Sequence, residues 1–114
     1  MDANIIATKS FDFALDIIDL YKFLIRDKQE YILSKQLLRS GTSIGANVKE
    51  GIRGFSKSDF RFKMNIALKE ANETEYWIEL LIKSSIIEQI TGNSILLKCR
   101  ELCKILNSIV KNSI

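Results

Sequence analysis

Three carboxylates and a serine are the first residues in this chain that could do chemistry. Glu50, Glu70 and Glu73 fall in segments with helical spacing. Paired carboxylates on facing helices can share a metal or divide the work of acid and base. The di-iron version of that site needs Glu-x-x-His motifs, and the chain contains no histidine. A glycosidase pair needs a cleft between its carboxyl groups, which a small helical domain does not offer. Ser43 would need a general base to become a nucleophile, and histidine, the usual one, is absent. That leaves only a Lys or Asp partner, so an enzyme ranks last among the readings. Cys99 and Cys103 stand four apart on one helical face, but structural zinc takes four N or S ligands. They read as two small buried hydrophobes. No metal and no cofactor is expected.

The stretch RSGTSIGANVKEG, residues 39–51, carries Gly41, Gly45 and Gly51 inside an otherwise helical pattern. Each glycine costs a helix interior about 1 kcal/mol against alanine, so a reason is needed. A phosphate loop requires G-x-x-x-x-G-K-[ST] after a strand, and a dinucleotide loop requires G-x-G-x-x-G. Neither pattern is present. Gly41 and Gly45 share a face, and small residues at that spacing let two helix backbones approach closely. A packing seam is therefore expected, with bulk supplied by Phe60, Tyr76 or Trp77.

Lys49, Arg53, Lys57, Arg61 and Lys63 lie within fifteen residues, opposed only by Glu50 and Asp59. Such clusters are what phosphate contacts require, because each neutralised phosphate releases counterions. Lys98, Arg100, Lys104 and Lys111 form a second basic run against Glu101. The alternative is a solvated face, on a scaffold that binds protein rather than nucleic acid.

Elements must place these residues. The chain has 114 residues, enough for one domain with its own core. Proline is absent, which suits long uninterrupted helices. No apolar run approaches a membrane span and no secretory signal opens the chain, so a cytoplasmic protein without membrane contact is expected. Spacing predicts helices over about 11–26, 30–52, 58–86 and 94–112. The first stripe is Phe11, Ala14, Leu15, Ile18, Tyr21, Leu24 and Ile25. Asp27 and Glu30 suggest a capping box for the second helix, whose stripe is Leu37, Gly41, Ile44, Val48 and Ile52. Ser56 and Asp59 suggest another box for the third. There Phe60, Met64, Ala67, Ala71, Thr74, Ile78 and Leu81 make an unbroken heptad seam. Beside it Lys63, Ile66, Glu70, Glu73, Trp77 and Leu80 form a mixed stripe, either a subunit interface or a half-buried bundle edge. TGNS, 91–94, reads as a turn before a fourth helix with Ile95, Cys99, Leu102, Leu106 and Ile109 inward. The expected fold is all-α, an antiparallel up-down-up-down four-helix bundle spanning 1–114 as a single domain.

These residues resemble a known family, the bacterial proteins named after intervening sequences in large-subunit ribosomal RNA genes and also called S23 ribosomal proteins. Its hallmark R-x-x-x-S-I-x-x-N-x-x-E-G falls on Arg39, Ser43, Ile44, Asn47, Glu50 and Gly51. A second block falls on Phe60, Ile66, Ala67, Glu73 and Glu75. The resemblance implies a four-helix bundle, often a homopentameric ring, with no established enzyme activity. It implies a likeness in fold to the accessory protein of diversity-generating retroelements, which binds nucleic acid and a reverse transcriptase. On that footing the chain is expected to be a homo-oligomer that contacts RNA or DNA, or alternatively a protein partner. Lys49, Arg53, Lys57, Arg61 and Lys63 would touch phosphates. Arg39, Ser43, Asn47, Glu50, Gly51, Glu70 and Glu73 would form a structural network between helices two and three.

Overall fold

The computed structural model describes residues 2–112, so the first residue and the last two of the expected 1–114 domain lie outside the described residues. It contains four helices: α1 (Asp2–Arg26), α2 (Leu33–Ile52), α3 (Lys57–Lys83) and α4 (Gln89–Asn112). Each packs against its neighbours in chain order, and α4 closes back on α1. Among the described residues the backbones of diagonal helices stay further apart than those of neighbours, so the arrangement is an up-down-up-down bundle measuring 44 × 19 × 18 Å. The α1–α4 seam is the loosest of the four. Among the described residues no helix is long and apolar enough to cross a membrane.

The heptad seam of α3 is the spine of the core. Met64, Ala67, Ala71, Thr74, Ile78 and Leu81 are all fully buried, and Phe60 is half-buried. Burying a side chain such as Ile78 or Leu81 contributes about 1.5–3 kcal/mol. On α2, Leu37, Gly41, Ile44 and Val48 are buried as their spacing predicts, but Ile52 is exposed and Gly51 takes its place inside. On α4, Cys99, Leu102, Leu106 and Ile109 face inward with Leu96 and Cys103, while Ile95 is half-buried.

Helix α1 differs from expectation in length and in face. It begins at Asp2, and its buried face is Ile6, Ser10, Phe13, Ile17, Leu20 and Leu24. Phe11 and Leu15 instead stand in solvent. The sequence holds two interleaved apolar stripes at helical period, and only packing against α2 selects one.

The connections also shift. Gln29 adopts a left-handed φ of 54°, which turns the chain so that Glu30 faces the start of α2. The Glu30 carboxylate then accepts from the backbone N–H groups of Leu33 (3.1 Å) and Ser34 (2.7 Å). Glu30, not Asp27, caps α2. Ser56 caps α3 as its spacing predicts, accepting from Asp59 N–H at 3.1 Å, while the Asp59 carboxylate accepts from Phe55 N–H at 3.2 Å. The TGNS segment is not a turn but the first turns of α4. Gly92 is buried there because α4 presses on Ile82: a Cβ at this position would lie 2.3 Å from an Ile82 side-chain carbon. The real turn is 84–88, where Ser85 takes φ 62° and Ile87 plugs the end of the core.

Candidate functional site

The glycine seam lies between α1 and α2 rather than against the aromatics of α3. A Cβ on Gly41 would meet Ile17 at 2.9 Å, and one on Gly45 would meet the Ser10 carbonyl oxygen at 3.3 Å. Small residues let the two backbones close, as the spacing predicts, but onto Ile17 and Ser10. Gly51 performs the same task toward α3, facing Met64 and Lys63.

The polar residues of the hallmark divide into separate groups. Arg39 reaches from α2 to two carboxylates on α3, with Nη1 3.3 Å from Glu70 and Nη2 hydrogen-bonded to Glu73. Trp77 donates its indole N–H to the same Glu73 carboxylate at 3.0 Å. That indole, followed by Arg39, holds the Glu73 carboxyl below its usual range, against the opposing effect of burial. Glu73 in turn pushes the Arg39 guanidinium up. Beneath this cluster the buried hydroxyls of Ser40 and Thr74 share a hydrogen bond of 2.9 Å across the seam. Ser43 and Asn47 do not join it. Ser43 donates to the Arg39 carbonyl (2.6 Å) and Asn47 to the Ser43 carbonyl (2.8 Å), both on their own helix. Glu50 is also elsewhere, paired with Lys63 at 2.8 Å. Trp77 is the member that motif reading missed, although its place four residues after Glu73 was the available signal.

This seam is a clamp between helices. Its carboxylates are occupied by a guanidinium and an indole, and the Ser43 hydroxyl is turned onto its own backbone. Among the described residues, no group of three or more His, Cys, Asp or Glu gathers where a metal could be held.

The basic cluster gathers at one end of the bundle, where α2 hands over to α3. The two carboxylates within the cluster's own stretch of sequence are engaged: Glu50 binds Lys63, and Asp59 accepts at the start of α3. Lys49, Arg53, Lys57 and Arg61 therefore have no ion pair among the described residues. Lys49 and Arg53 are one turn apart, as are Lys57 and Arg61, and Phe55 between the two pairs is fully exposed. In the second basic run Lys104 and Lys111 likewise have no ion pair among the described residues, but the other two cations differ. Lys98 pairs with Asp16 at 2.8 Å, and Arg100 bridges Glu75 (2.8 Å) and Glu79 (3.2 Å). Those cations tie α4 to its neighbours.

Among curated proteins none matches this sequence. Among solved structures, one similar chain is a protein of unknown function from the S23 ribosomal protein family of Bacteroides thetaiotaomicron, in a crystal structure. It is 51% identical, the match covers 98% of this chain and 100% of that one, and the TM-score is 0.95. The model of the 23S rRNA-intervening sequence protein family matches residues 2–108. The hallmark residues, the four helices and a match over nearly the whole sequence agree, and the chain belongs to the 23S rRNA-intervening sequence protein family.

Proposed function

We propose that this protein is a non-catalytic, homo-oligomeric accessory factor of the cytoplasm that binds nucleic acid by its phosphates. One observation carries the reading. Lys49, Arg53, Lys57 and Arg61 stand together at one end of the bundle without ion pairs among the described residues, while Glu50 and Asp59 beside them in sequence are engaged elsewhere. Phosphate contacts of this kind set affinity and position without reading sequence. The half-buried face of α3, with Ile66 and Trp77 beside exposed Phe62 and Tyr76, suits a subunit contact. An oligomer would repeat the cationic end around its axis and raise avidity.

The test is binding of a labelled structured RNA and a duplex DNA at low and physiological salt. Affinity should fall steeply with salt, and Arg53→Glu with Arg61→Glu should weaken it at unchanged melting temperature. No binding at low salt would refute the reading. Light scattering reads the assembly directly, and a monomer at micromolar concentration would remove the oligomer from it. A second reading, a scaffold for protein partners, is favoured by the groove between α1 and α4 where Phe23 and Ile90 are exposed. A partner retained after nuclease treatment would support it.

A further inference from the structure

We propose that the nucleic acid bound here is single-stranded, with an unpaired base seated in the groove between the first half of α1 and the last turns of α2. The inference rests on the phosphate-binding reading above and deepens it. The groove holds about 460 Å³ and is lined on one side by Phe11 and on the other by Lys49, Ile52 and Arg53, with Gly45 at its floor. Clefts that hold small organic ligands run from about 300 to 1,000 Å³, and a base with its sugar fits that range.

The chemistry of the walls selects the occupant. Phe11 is 64% exposed and Ile52 is 41% exposed, so neither side chain belongs to the core. A phosphate surface for duplex alone would have no use for them, because duplex bases are stacked inward and present only their edges. A single strand offers a base face and a phosphate together. The face can lie on the Phe11 ring, as bases do on aromatic platforms in single-strand binders. The phosphates on either side then reach Lys49 and Arg53, which neighbour the groove one helical turn apart. Asp12 lies on the α1 side. Its charge keeps phosphate toward α2, and its oxygens can accept from an exocyclic amine of the base. Two residues beyond Arg53 and two before Lys57 in sequence, fully exposed Phe55 offers a second platform.

The test compares one labelled oligonucleotide of mixed sequence, single-stranded and annealed to its complement, by anisotropy at the same low salt. The single strand should bind about tenfold more tightly, and Phe11→Ala should remove about that factor for the single strand alone. Its melting temperature and duplex binding should not change. Equal binding of both forms, untouched by Phe11→Ala, would overturn the inference and leave the phosphate reading standing. Binding of neither form would overturn both. A change of assembly mass in Phe11→Ala would make the groove a subunit contact and overturn the inference. Should that variant fail to fold, the strand comparison on the unaltered protein still decides.

Discussion

The indole nitrogen of Trp77 lies 3.0 Å from a carboxylate oxygen of Glu73, one turn earlier on α3, and Arg39 of α2 closes on the same carboxylate. A charged acceptor with two donors fixes the register of α2 against α3. Glu73→Gln should therefore lower stability by about 1 kcal/mol, below the 1.5–3 kcal/mol of a charged hydrogen bond because Arg39 is half exposed to solvent. The pH dependence has a definite sign. The folded protein holds Glu73 below its ordinary value of 4.5, so its contribution is complete above that pH. It is lost as pH falls through the lower folded value. Thermal melts between pH 7 and pH 3 should show a smaller acid loss in Glu73→Gln than in the parent, and parallel curves would contradict this.

Gly41 and Gly45 look equivalent by spacing, but their surroundings differ. A methyl group on Gly41 meets two carbons of Ile17 at 2.9 Å, and Ile17 is fully buried and cannot withdraw. Gly41→Ala should destabilise by about 1–3 kcal/mol, as overpacking does. A methyl group on Gly45 comes to 3.3 Å from the Ser10 carbonyl, which a shift of a few tenths of an ångström relieves. That strain offsets the gain of about 1 kcal/mol in helix propensity, so Gly45→Ala should be near neutral. Denaturant midpoints separate the two.

Glu50 makes its ion pair at the surface, with its side chain 59% exposed. Glu50→Gln should cost at most about 1 kcal/mol. It should also release Lys63 into the cationic end. In the nucleic-acid reading, binding then tightens and the log–log salt slope steepens by about one phosphate. Unchanged binding in this variant alongside weakened binding in Arg53→Glu would place Lys63 outside the contact surface.

The two thiols should differ in reactivity. The neighbouring Cys103 sulfur and burial push Cys99 up, and Cys99 is wholly enclosed. Cys103 lies at the edge, 8% exposed, with its sulfur 3.5 Å from Asn72 Oδ1. Ellman's reagent should label Cys103 first in the native protein and both thiols in denaturant, with peptide mapping to assign the site. Fast labelling of Cys99 would show that α4 opens locally.

How much of this was legible in one dimension depended on whether a segment offered a single solution. Helix α3 carries one apolar seam at strict 4-3 spacing, so Met64 through Leu81 could be placed inside from the sequence. The Ser56–Asp59 cap is equally local, since both partners lie within one turn. Helix α1 offers two stripes of the same period, and only packing against α2, where Gly41 faces Ile17, could make Phe13 and Ile17 inward and Phe11 outward. Gly92 looks like turn punctuation because its partner, Ile82, belongs to a different helix. The cationic end shows the same division. Composition and spacing determine that five basic residues come together, because they are near in sequence. Which of them keeps its charge unpaired depends on where Glu50 and Asp59 point, and that is decided only when α2 and α3 pack.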